Sequence, residues 1–112
     1  MRIAFAINDN EGLESKISER FGRAKYFLIV DVDKEWRVTN YNVMENPGAS
    51  ALSGAASKAA RLLANNSVNV VVAGNFGPHA STILSTLGIK ALTLPPGVKI
   101  RDAINELKRL LK

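Results

Sequence analysis

Apolar residues fall in short blocks along the chain, and their spacing separates strands from helices. "RIAFAI" (2–7) is an apolar run ending at the polar "NDNEG", the pattern of a buried strand that runs into a loop. "AKYFLIVDV" (24–32) is rich in aromatic and β-branched residues, "WRVTNYNVM" (36–44) alternates, and only "DKE" lies between them, which predicts a β-hairpin. Thr39, Asn40 and Asn42 make the second arm an edge strand with one wet face. "NPG" (46–48) ends the sheet signal.

From about Ser50 to Asn66 the period becomes helical. Leu52, Ala55, Ala56, Ala59, Ala60 and Leu63 form one stripe with Lys58 and Arg61 off it, and the alanines with Gly54 predict a flat face that lies close on a sheet. "NVVVA" (69–73) is a fourth strand. Ala80, Ile83, Leu84 and Leu87 mark a second helix, which Gly88 stops. "IKALTL" (89–94) is a fifth strand, "PPG" a loop, and Ala103, Ile104, Leu107, Leu110 and Leu111 a last amphipathic helix with Asp102 near its start but no clear N-cap. The order β-β-β-α-β-α-β-α describes an α/β domain in which a hairpin leads into parallel βαβ units.

Strand direction then points to a place for function. If strands 1, 3, 4 and 5 run the same way, "NDNEG…SERFGR", "ENPGAS", "GNFGPHAS" and "LPPG" line one rim, the carboxyl edge where open α/β sheets bind ligands. Seven of the eight glycines lie in or beside these loops. They permit tight turns or close approach of backbone to a ligand. In "GNFGPHAS" (74–81) Pro78 suits a first helical position, so the N–H groups after it face the rim as an anion site. The motif is neither "GxxxxGK[ST]" nor "GxGxxG", and no lysine follows its glycines, so it does not read as a nucleotide loop. His79, the sole histidine, has two readings: a solvent-facing or capping residue, or a ligand or proton-transfer group.

Composition removes much other chemistry. With 112 residues, 46% of them hydrophobic, the chain is expected to form one domain over 1–112. It has no cysteine, which excludes disulfides, thiolate metal sites and cysteine nucleophiles, and one imidazole does not build a protein-only metal centre. No membrane span or signal peptide is expected, so the expected location is the cytoplasm. The net charge of +5 favours anionic partners, but the basic residues are spread along the chain and do not indicate nucleic acid. Ser81 follows His79 closely without a nucleophile-elbow pattern. Asp31 and Asp33 fall at the hairpin end, away from the rim and from Asp9, against a two-metal nuclease.

"ISERFGRAKYFLIVDVD" (17–33), "ENPGASALSGAASKAARLLANNSVNVVVAGNFGPHASTILSTLGIKAL" (45–92) and "RIAFAI" resemble the dinitrogenase iron–molybdenum cofactor biosynthesis family across nearly the whole chain. The carriers of the resemblance are "FGRA" before an aromatic, "NP" after strand 3, and "AG-x-x-GP-x-A" followed by "LGI". The resemblance implies a ribonuclease H-like α/β fold, a five-stranded mixed sheet of order 3-2-1-4-5 with three helices. It also implies a non-enzymatic carrier of the iron–molybdenum cofactor or an iron–sulfur precursor, bound transiently, with cluster-assembly proteins as partners. Carried over by motif, the expected cofactor-binding residues are Arg20, Phe21, Gly22, Arg23, Asn46, Pro47, Gly74, Asn75, Gly77, Pro78 and His79, with His79 the one candidate metal ligand. Many relatives have histidine just before "FG"; here Arg20 attracts an anion but, being always protonated, does not coordinate iron. A protein-interaction module without cluster binding is the alternative reading, ahead of a ribonuclease H-like nuclease.

Overall fold

The computed structural model describes residues 1–111. Lys112, the last of the basic residues, lies outside the described residues. Strand β1 (Arg2–Ile7) is central because both of its faces are apolar. Its larger side chains Ile3, Phe5 and Ile7 point to one layer, and Ala4 and Ala6 to the other. On one side β1 pairs antiparallel with β2 (Tyr26–Val32), which pairs antiparallel with β3 (Val38–Glu45). On the other side it pairs parallel with β4 (Val70–Ala73), and β4 pairs parallel with β5 (Lys90–Thr93). The sheet order is therefore β3-β2-β1-β4-β5, a five-stranded mixed sheet, with three α-helices and a short 3₁₀ turn over Gly12–Glu14.

Two helices, α1 (Ala55–Asn65) and α2 (Pro78–Thr86), cover the small-residue face of the sheet. Ala59, Ala60 and Leu63 of α1 are buried against Ala4, Ala6, Phe27, Ile29, Val71 and Ala73. Alanine on both surfaces lets backbones approach without leaving voids, which close-packed interiors do not tolerate. The large-residue face takes a single helix, α3 (Ile100–Leu111), through Ile100, Ala103, Ile104 and Leu107. Bulky side chains there fill the depth that two layers of small ones leave on the other side.

Strand ends differ by one or two residues from those the pattern predicts, and the larger differences have physical reasons. α1 starts at Ala55, five residues later than expected, because Gly54 holds a left-handed φ of 69° that no helix interior accommodates. Leu52 therefore leaves the stripe and is fully exposed, at 101%. Trp36 belongs to the hairpin turn, with φ 64°, where Asp33 Oδ1 accepts the N–H groups of Glu35 and Arg37. At the helix ends, Leu87 stands at the C-cap of α2 and Leu110 turns outward, 57% exposed, so neither belongs to the buried stripes. Gly88 does hold the left-handed φ expected of a helix stop, at 75°. β3 is the edge strand expected, but Thr39 to Asn42 are all exposed, and since successive side chains alternate, both faces are wet over this stretch rather than one.

Candidate functional site

The pairings place the carboxyl ends of β1, β3, β4 and β5 at one edge of the sheet, and the turn before β2 joins them there. Three of these segments are stitched together. Ser18, buried, accepts the N–H of Arg20 at Oγ and takes a second hydrogen bond from Asn8 Nδ2, while its carbonyl accepts from Gly74 N at 2.8 Å. Arg20 continues the contact through a parallel bridge to Asn75. This approach requires glycine at 74, since a Cβ there would lie 2.9 Å from Glu19 Cα and 2.6 Å from Pro96 Cγ.

Asn46 makes the second stitch. Its side chain is 4% exposed, donates from Nδ2 to the carbonyls of Gly22 (3.0 Å) and Ala24 (2.8 Å), and accepts Gly48 N at 2.9 Å. Gly48 in turn sits against backbone: a Cβ would lie 2.5 Å from Ala55 O and 2.6 Å from Gly22 O. Arg23 Nη1 donates to the carbonyls of Gly48 (3.3 Å) and Ala51 (2.6 Å). The 46–54 loop is thus fastened to the 20–24 turn, and it delivers the start of α1 beside that turn.

Between these segments lies a cavity of about 460 Å³ lined by Glu19, Arg20, Phe21, Gly22, Arg23, Ala55, Ala56, Asn75, Gly77, His79 and Ala80. Its size falls within the roughly 300–1,000 Å³ of small-molecule sites. Two helices open onto it by their N-termini, and both have glycine at the N-cap, Gly54 for α1 and Gly77 for α2, so neither carries a side-chain cap. The positive ends of both helix dipoles therefore face one space. Gly54 is dictated by its left-handed φ. Gly77 is not, because its φ is −68° and nothing lies within 4 Å of where a Cβ would stand. Glycine at 77 leaves the end of α2 bare without any demand from the backbone.

Seven of the eleven residues expected at the site, Arg20, Phe21, Gly22, Arg23, Asn75, Gly77 and His79, line this cavity. The other four do not. Asn46 and Pro47 line a neighbouring recess of about 450 Å³, Gly74 packs beneath the 18–20 segment, and Pro78 is the first residue of α2. Phe21 is an anchor, 2% exposed, its ring 5.5 Å from that of Phe27 and 5.3 Å from that of Phe76. Phe76 accordingly packs inward. Ala55 and Ala56 were not expected at the site because the helix was expected to start at Ser50, and Asn8 and Ser18 have no signal in hydrophobic spacing. The carboxyls with lowered pKa, Glu14 through its bond from Arg101, Asp31 through its bond from Arg2 and Asp33 through backbone N–H of Arg37, all lie outside this cavity.

The family model described as "Dinitrogenase iron-molybdenum cofactor" matches residues 1–110. The chain belongs to this family. A protein of Methanocaldococcus jannaschii, MJ0580, itself uncharacterized, is 33% identical over 89 residues, covering 80% of this chain and 70% of that protein. Among solved structures, the apo form of the orange protein from Desulfovibrio gigas superposes with a TM-score of 0.84 at 29% identity, over 96% of this chain and 87% of that one. The crystal structure of PH0822 gives 0.80 at 28% identity, over 96% and 89%. An NMR structure of a Thermotoga protein of the DUF35 family, TM1290, gives 0.77 at 30% identity, over 96% and 87%. With no cysteine and a single histidine, and no cluster of three metal-ligating side chains among the described residues, the rim offers N–H groups, guanidinium, one imidazole and the carboxylate of Glu19.

Proposed function

We propose that the protein is a non-enzymatic carrier that binds a preassembled anionic metal–sulfur cargo, the iron–molybdenum cofactor or an iron–sulfur precursor, at the rim cavity. One observation carries the reading: two glycine-capped helix N-termini and the guanidinium of Arg20 converge on the same space. A cluster that brings its own sulfides needs no thiolate cage. Its negative charge is held by helix N–H donors and by charge-assisted bonds from arginine, while the imidazole of His79 and the carboxylate of Glu19 are side chains at the cavity able to ligate an exposed metal, the imidazole without adding negative charge beside the cargo. Membership of a family named for the iron–molybdenum cofactor supports this chemical class of cargo. Transient loading also implies cluster-assembly proteins as donor and acceptor.

Titration of the purified protein with isolated iron–molybdenum cofactor, and with tetrathiomolybdate as a smaller anionic analogue, tests the proposal. Saturable absorbance changes should accompany amide NMR shifts at residues 20–23, 55–57 and 75–80. Shifts confined to other residues, or no saturation with either probe, would refute it.

A further inference from the structure

The two arginines at the cavity are differently placed, and this inference rests on the carrier reading above. We propose that Arg20 is the ligand-contacting cation, whereas Arg23 is a positioning residue that acts through the 46–54 loop on the N-terminus of α1.

The guanidinium of Arg20 forms no hydrogen bond or ion pair among the described residues, and only its backbone is fastened, to Ser18 and Asn75. It is exposed at the cavity mouth with its donors free. Arg23 has both N–H groups of Nη1 on carbonyls, Gly48 and Ala51. Those two carbonyls lie on the loop that ends at Gly54, the bare N-cap of α1. Asn46 works on the same joint from below, through Gly22, Ala24 and Gly48. Displacing Arg23 toward an anion would break the upper tie and release the segment that aims the α1 N–H groups. A guanidinium suits this bridging because its N–H donors are fixed in a rigid plane, whereas the three donors of an ammonium rotate at the end of a flexible stem.

Substitution separates the roles. Arg20→Gln should weaken tetrathiomolybdate binding about tenfold, flatten its dependence on ionic strength because a charge has gone, and leave backbone hydrogen exchange at 47–57 unchanged. Arg23→Gln should speed exchange at Ala49 and Ala51, whose N–H groups close the loop's turns onto Asn46 and Gly48, with no ligand present. It should weaken binding, and since it too removes a charge at the cavity, the unchanged ionic-strength dependence of the parent is expected of Arg23→Lys instead. Arg23→Lys, which retains charge but loses the rigid planar donor, should resemble Arg23→Gln in exchange and fail to restore affinity. Restoration of affinity by Arg23→Lys, with loop exchange unaltered in Arg23→Gln, overturns the inference and leaves the site reading standing. Failure of both tetrathiomolybdate and isolated iron–molybdenum cofactor to bind the parent protein overturns the site reading, and loop exchange alone then decides whether Arg23 holds the joint.

Discussion

Gly48 shows how much of the site depends on a missing side chain. Its Cβ position is occupied from two sides by backbone carbonyls, those of Ala55 and Gly22, and neither is the end of a flexible group that could swing aside. Gly48→Ala should therefore destabilise the protein by about 1–3 kcal/mol, the range of overpacking at a fixed backbone contact. Chemical denaturation would measure this, with amide shifts concentrated at 20–24 and 46–56. Gly77→Ala makes the paired control, with an ordinary φ and open space, and should change stability by less than about 0.5 kcal/mol. Such differences between glycines are invisible in sequence, where each reads only as a turn-former. Asn46 likewise reads as a motif residue, and only its buried hydrogen bonds show that it organises the rim from outside the main cavity.

At the scale of the element, α2 has a start that could be strengthened. Gly77 has the extended backbone of an N-cap (φ −68°, ψ 164°), and an aspartate there would accept first-turn N–H groups. Gly77→Asp should raise stability by about 0.3 kcal/mol, the difference between glycine and aspartate at an N-cap, and at the same time abolish anion binding, because its carboxylate takes the donors and the space of the cargo. Thermal denaturation and tetrathiomolybdate titration on the same sample check both halves. A gain in stability with unchanged binding would place the anion elsewhere. Periodicity found the body of each helix, since burial of one face imposes the spacing of Ala59, Ala60 and Leu63 or of Ile100, Ala103, Ile104 and Leu107. It misplaced the start of α1 because apolar Leu52 continues the pattern across a residue whose backbone is left-handed.

On the whole molecule, acid stability reflects ion pairs that tie elements together away from the cavity. Arg2 Nε donates to Asp31 at 2.8 Å across β1 and β2, and Glu14 receives Arg101 and Lys99 from the start of α3. Their hydrogen bonds lower the pKa of both carboxyls. The folded state accordingly binds fewer protons than the unfolded chain in this range, so the contribution is fully present above the ordinary carboxylate pKa and is lost as pH falls through the lowered folded value. Stability should fall on acidification below about pH 4, and Asp31→Asn should flatten that slope; urea midpoints between pH 3 and 7 test it. Charge at the rim acts over distance and is screened by salt, so cargo affinity should fall as ionic strength rises.

Hydrophobic patterning along the chain carries the architecture and the edge of the sheet at which its loops meet. Alternating and continuous apolar runs select strands, a hairpin reverses one of them, and the handedness of βαβ crossovers leaves few topologies, so the loops at 20–23 and 74–79 were bound to share one side of the sheet. Tertiary structure decided which of those loop residues face the cavity and which hold it open. That choice rests on contacts between segments far apart in the chain: Gly74 against Glu19, Gly48 between Gly22 and Ala55, Arg23 on the carbonyls of Gly48 and Ala51. Hydrophobic spacing is a local property of a strand or helix, whereas hydrogen bonds across a joint depend on distances set only when the packed layers bring those segments together.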